Sequence, residues 1–161
     1  MATPTNLPAS FTTGAVLTAA QMNDLRGAFR ILQVVSASNA TLGSSTSATY
    51  VDTGVTANIT PQSSSSLILV VWSQDCFNSG SGTGVNVRLV KNSTVLDTII
   101  DMVFGSNSSN LAHGTATFLD SPATTSTLTY KTQFARSAGA GIAYVQPNNN
   151  RSSIILFEVS A

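Results

Sequence analysis

Two hydrophobic patterns divide the chain near residue 30. From Ile31 onward, short apolar or alternating runs recur between Ser-, Gly- and Asn-rich turns at the spacing of a β-sandwich. The pattern predicts strands near Ile31 to Val35, Thr49 to Ile59, Ser66 to Gln74, Val85 to Lys91, Val95 to Val103, Asn110 to Leu119, Thr127 to Ala135, Gly141 to Gln146 and Ser153 to Val159. Leu128, Tyr130 and Phe134 are set against Thr129, Lys131 and Gln133, and Val85, Val87 and Leu89 against Asn86 and Arg88. Side chains alternate across a strand, so each such run has one face for a core and one for water. Short strands with no helical pattern between them predict an all-β, jelly-roll-like sandwich over residues 31–161.

Two runs break the alternation. Leu67-Ile68-Leu69-Val70-Val71-Trp72 and Ile154-Ile155-Leu156-Phe157 are apolar at consecutive positions, so both faces of those strands call for cover. One face meets the sandwich core. The other needs a second copy of the chain or the N-terminal segment, unless both strands are sandwiched within one subunit. Each buried aliphatic contributes about 1.5–3 kcal/mol, so four or five left in water would make a sticky patch. Packing around a closed symmetry axis is an economical answer. Leu67, Leu69, Val71, Ile155 and Phe157 are therefore the candidate subunit interface.

Residues 1–30 read as an arm. Thr18-Ala19-Ala20-Gln21 has capping-box spacing, Leu17 and Met22 stand where a hydrophobic staple would, and Gly27 is a natural stop, so the arm should carry one short helix. A helix of two to three turns is marginal alone in water and must dock. Phe11, Leu17, Met22 and Leu25 are its candidate anchoring residues.

Composition narrows the function. Only 9% of the 161 residues are charged, and seven basic side chains cancel seven acidic ones. The cations form no stripe, which argues against nucleic acid as a partner. Low net charge also weakens the repulsion that keeps proteins apart. A single cysteine, Cys76, allows no intrachain disulfide, and one His with one Cys makes no zinc site, so no cofactor or metal is expected. The longest apolar run, Leu67 to Trp72, is far short of the ~20 residues of a membrane helix. The first residues lack the features of a cleavable signal, so synthesis in a cytoplasm without export is expected.

Candidate catalytic groups are sparse. Asp52-Thr53-Gly54 copies the aspartic-protease triplet, but it also fits a bulge or turn. Gly80-Ser81-Gly82-Thr83-Gly84 has no Lys-Ser or Lys-Thr after it and fits a connecting loop better than a phosphate cradle. His113 could act as a base with Asp97, Asp101 or Asp120 orienting it, yet no nucleophile elbow accompanies it. Glu158, the only glutamate, is expected to face solvent or pair with an arginine. Trp72, Tyr50, Tyr130 and Tyr144 could stack on sugars, although strand aromatics more often fill cores. The balance is against an enzyme.

Phe11-Thr12-Thr13-Gly14-Ala15-Val16-Leu17-Thr18-Ala19-Ala20-Gln21-Met22-Asn23 resembles the F-x-x-G-x-x-L-T-A-x-x-M/L-N leader near the start of many tailed-bacteriophage virion proteins, tail fibre and appendage proteins among them. Asn58-Ile59-Thr60-Pro61, Phe118-Leu119-Asp120-Ser121-Pro122 followed by Leu128-Thr129-Tyr130-Lys131, and Ile154 to Val159 are similar to β-sandwich domains of phage fibres and capsid surfaces. The resemblance implies a homotrimer without an active site, located in the virion and made in the host bacterial cytoplasm. It implies a leader that binds the major capsid protein or another virion protein. The short leader suits a capsid decoration or cement protein. The alternatives are a tail fibre or receptor-binding tip that offers Asn78 to Gly84, Gly105 to Asn110 and Pro147 to Asn150 to a host surface glycan, and a phage hydrolase built on His113.

Overall fold

The computed structural model describes residues 31–106 and 109–160, with Thr13, Gly14, Val16, Thr18, Ala19 and Met22 of the preceding segment. Its strands are β1 (Ile31–Asn39), β2 (Gly43–Ser45), β3 (Val51–Ile59), β4 (Leu67–Ser79), β5 (Thr83–Lys91), β6 (Thr94–Gly105), β7 (Asn110–Asp120), β8 (Leu128–Arg136), β9 (Ile142–Val145) and β10 (Ser152–Val159). Every strand the pattern predicts is present. The addition is β2, whose Gly-Ser-Ser has no apolar signal and which exists by pairing with β9. β4 also continues past the predicted end at Gln74, because β7 and then β9 supply partners through Ser79.

One sheet has the order β1-β10-β4-β9-β2, with β7 on the other side of β4; the second has the order β3-β8-β5-β6. β1 pairs β10, β3 pairs β8, β4 pairs β7 and β5 pairs β6, all antiparallel. Followed outward from the Asn92-Ser93 turn between β5 and β6, the long strands form one antiparallel hairpin folded over on itself. That nesting is the jelly roll.

The sheets meet through Ile68, Val70, Trp72, Ile154 and Leu156 from the first and Val55, Ile59, Val87, Leu89, Leu128, Tyr130 and Phe134 from the second, all buried. Polar side chains tie the layers together. Thr132 Oγ1 donates to Gln74 Oε1 at 3.1 Å, and Gln74 Nε2 donates to Ser152 Oγ at 2.8 Å, so a buried chain of hydrogen bonds crosses the core. At one edge Asp120 receives Lys91 Nζ at 2.8 Å and the Tyr130 hydroxyl at 2.6 Å. Burial, and then the Asp120 carboxylate, push the Tyr130 phenol well above its ordinary value, which keeps it a donor.

Glu158 corrects one expectation. It is fully buried, and among the described residues no arginine pairs with it; Gln33 Nε2 donates to it at 2.6 Å and the Gln62 backbone N–H at 2.7 Å. Its position is an inward one on β10, in phase with Ile154 and Leu156. Burial pushes its carboxyl up, but the donated hydrogen bonds outweigh burial and hold it below the ordinary glutamate value. The folded value is thus the lower one. The resulting stability is complete above the ordinary glutamate range and is lost as pH falls through it toward the folded value. Glu158→Gln is expected to cost about 1–3 kcal/mol at pH 7, and less at pH 3, below the ordinary glutamate value, where the unfolded chain takes up a proton that the folded carboxylate resists. Urea midpoints of both proteins at the two pH values check this; an equal gap at both would refute it.

In the arm, the Met22 N–H donates to the Thr18 carbonyl at 3.0 Å, a helical turn where the capping box predicts one. Met22 is half exposed. Phe11, Leu17 and Leu25 lie outside the described residues.

Candidate interaction surface

The five predicted interface residues share the outer face of the β1-β10-β4-β7 sheet, because β4 and β10 pair with Leu67 opposite Val159, Leu69 opposite Phe157 and Val71 opposite Ile155. Their inward neighbours Ile68, Val70, Trp72, Ile154 and Leu156 fill the core. Register extends each pair into a row across the sheet. Val34, Phe157, Leu69 and Leu119 form an entirely apolar row, and Val34 and Leu119 are 54% and 56% exposed. Next come Ser36, Ile155, Val71 and Thr117, then the hydroxyl row Ser38, Ser153, Ser73 and Thr115. Beyond lies Asp75 opposite His113, their Oδ1 and Nδ1 3.0 Å apart, and finally Tyr144, Phe77 and Leu111. The face is therefore graded along the strands, greasy where residue 31 enters the sheet and polar toward the middle.

The opposite outer face, on β3-β8-β5, has the reverse character. Asp52 accepts from Lys131 Nζ at 2.9 Å and from Gln133 Nε2 at 2.6 Å. The Gln133 carbonyl accepts two bonds from Arg88, whose guanidinium lies 4.0 Å over the Tyr50 ring. Such a mutually satisfied polar surface is at home in water. At the edge of that sheet β6 leaves Val95, Ile100 and Phe104 exposed, so the first face differs in having its apolar side chains in contiguous rows across four strands.

Comparison with known proteins places little beside the chain. No family model matches it, and no curated protein does. Among solved structures it is similar to the VP2 subviral particle of infectious bursal disease virus, at 14% identity and a TM-score of 0.42 over 80% of this chain and 37% of that one. It is also similar to the structure of the Gt strain of that virus, at 13% identity and a TM-score of 0.44 over 81% of this chain and 39% of that one. The chain spans less than two-fifths of the length of either.

The catalytic candidates are dispersed. Asp52-Thr53-Gly54 sits at a β-bulge between β3 and β8, with Gly54 at φ 83°. The glycine loop is the short crossing from β4 to β5, with Gly80 and Gly82 at positive φ. His113 is bonded to Asp75, not to Asp97, Asp101 or Asp120. Trp72 and Tyr130 are core, whereas Tyr144 lies on the outer face, 5.6 Å from Phe77. Cys76 is buried, and burial, reinforced by the Asp75 carboxylate, pushes its thiol up to about 12. Among the described residues no His/Cys/Asp/Glu group could hold a metal ion. Of the proposed glycan loops, the first two are tied together at the far end of the sandwich by Gly80 N–H to Ser109 Oγ at 3.0 Å and by Ser81 Oγ to Ser106 O at 2.7 Å. The third contains a 3-10 turn at Pro147–Asn149 and is pinned beside Asp75 through the Gln146 N–H.

Val34 and Leu119 complete the apolar row but are absent from the predicted interface. Their signal was present in the doublets Val34-Val35 and Phe118-Leu119, which put apolar residues on both faces of β1 and β7. Asp75 as the partner of His113 had none, because that pairing depends on the register of β4 against β7.

Proposed function

We propose that the chain is a non-enzymatic structural protein of a tailed-phage virion, a homotrimer that decorates and cements the capsid through residues 1–30. The observation that carries this reading is the outer face of β1-β10-β4-β7. Its rows nearest the start of β1 are apolar and contiguous, while the outer face of β3-β8-β5 carries the paired polar cluster of Asp52, Lys131, Gln133 and Arg88. A sandwich with one such face is built to associate, and low net charge favours association. The phage-like leader supports a virion as the destination, and the jelly roll is an architecture used by viral capsid domains. β1 begins with Ile31 at the greasy end of that face, so a trimer would bring three β1 starts together and let three arms attach simultaneously.

Light scattering on the full chain should give three times the 16.6 kDa monomer mass. Deleting residues 1–27 should leave a folded trimer that no longer attaches to virions, and quantitative mass spectrometry should find hundreds of copies per particle. A monomer at micromolar concentration refutes the reading. A second reading, a tail-fibre tip that recognises a host glycan, is favoured by the joining of Gly80 to Ser109 and of Ser81 to Ser106 at the end of the sandwich opposite the start of β1. It predicts single or low double-digit copies per particle.

A further inference from the structure

On the side away from β7, β4 changes partner in mid-strand. Residues 67–73 pair with β10 and residues 76–79 with β9, so Asp75 falls in the gap between the two. There its N–H donates to Ser152 Oγ at 3.0 Å, and its carbonyl accepts the Gln146 N–H at 3.1 Å. The N–H and C=O of one strand residue point to the same neighbour, so Ser152 and Gln146 meet side by side across the 147–149 turn. Both are fully buried.

The hydrogen bonds of the core run in one direction and end at Ser152. Thr132 Oγ1 gives its proton to Gln74 Oε1, so the Thr53 hydroxyl, 2.6 Å away, donates to Thr132. Gln74 Nε2 donates in turn to Ser152 Oγ, which also accepts from the Asp75 N–H. A hydroxyl accepts two bonds and donates one. Both acceptor sites of Ser152 are therefore filled, and its proton is left for a further partner. Gln146 Oε1 and Nε2 are buried beside it with no hydrogen-bond partner among the described residues, so neither reaches Ser152 directly. Buried polar groups are bonded to protein or, failing that, to ordered water. We propose that a buried water molecule binds between Ser152 and Gln146 and completes this relay. It accepts from the Ser152 hydroxyl and from Gln146 Nε2 and donates to Gln146 Oε1, about three bonds being usual for an internal water. A cation suits the place poorly, because the Ser152 oxygen has both lone pairs engaged. The water extends the chain that starts at Thr53 on β3 and passes through Thr132 on β8 and Gln74 on β4. It carries that chain into the turn between β9 and β10, where β4 exchanges one partner for the other.

A crystal structure of the full-length protein, at a resolution that shows ordered water, should place a water oxygen within about 3.2 Å of Ser152 Oγ and of both polar atoms of the Gln146 amide. An empty site, a Gln146 amide turned onto a protein group, or an ion at metal-ligand distances overturns the proposal. Gln146→Met tests it energetically, since it keeps the length of the side chain and removes both amide groups. Residue 146 has φ 51°, a backbone strain that Gln and Met share. With water bound, methionine takes away two of its three partners, and the melting temperature should fall by about 2–4 °C. With a dry amide, methionine would instead remove a buried donor and acceptor that nothing satisfies, and the melting temperature should rise. A rise overturns the proposal. Ser152→Ala and the double variant complete a thermodynamic cycle. The two losses should add to less than their sum, because either change alone breaks the bridge; full additivity overturns the link between the two residues.

Discussion

Leu69→Asp is expected to convert the proposed trimer into folded monomers. Leu69 stands in the middle of the apolar row, with Phe157 on one side and Leu119 on the other. In the isolated chain its side chain is only partly buried, on the outer face, so a carboxylate there can reach water. Stability of the monomer should change by no more than about 1 kcal/mol, the range of substitutions away from cores and caps. In the assembly the same carboxylate would be buried against aliphatic neighbours without a hydrogen-bond donor. Several kcal/mol are then lost per contact, and each 1.4 kcal/mol is tenfold in the association constant. Light scattering should report the 16.6 kDa species at concentrations where the wild type is oligomeric, with unchanged circular dichroism. Thr56→Asp, on the polar face of the second sheet, is the control and should stay assembled. If Leu69→Asp assembles normally, or Thr56→Asp dissociates, the interacting face has been placed on the wrong sheet.

The strands were legible because period-two alternation is written wherever one face is buried and the other wet, as in Leu128 to Phe134. The same logic makes Leu67 to Trp72 and Ile154 to Phe157 the informative exceptions, and their alternate residues do point to opposite sides of one sheet. β2 was not legible, since Gly43–Ser45 forms a strand only by accepting the edge of β9. Glu158 was misread for a related reason. A lone carboxylate between Phe157 and Val159 looks like the wet position of an alternating strand, but its phase on β10 puts it with Ile154 and Leu156. What satisfies it, Gln33 and the Gln62 N–H, lies more than ninety residues earlier in the chain. The Asp75–His113 pair was hidden in the same way. Both are facts of register, and local patterns fix the face of a residue far better than its partner across a long connection.

Trp72→Ala should cause the largest loss of stability of any single truncation in the core. Trp72 is among the largest fully buried side chains, on β4 between Ile154 of β10 and Ala116 of β7, and it faces the second sheet. Alanine leaves a cavity that the short Ala116 side chain cannot fill. Removing a buried tryptophan costs about 3–5 kcal/mol, against a total of roughly 5–15 kcal/mol for a typical domain. The melting temperature should fall by roughly 10–15 °C. Trp72→Phe separates volume from polarity. The indole Nε1 of Trp72 has no hydrogen-bond partner among the described residues, so phenylalanine gives up ring volume but also removes a buried donor that nothing satisfies. Its cost should be less than half that of alanine. Because β4 presents its inner face to the core and its outer face to the candidate interface, Trp72→Ala should weaken folding and assembly together, whereas Leu69→Asp weakens assembly alone. If Trp72→Ala lowers the melting temperature by only a degree or two, β4 is not the central strand of the sandwich, and the face assigned to its other side loses its support.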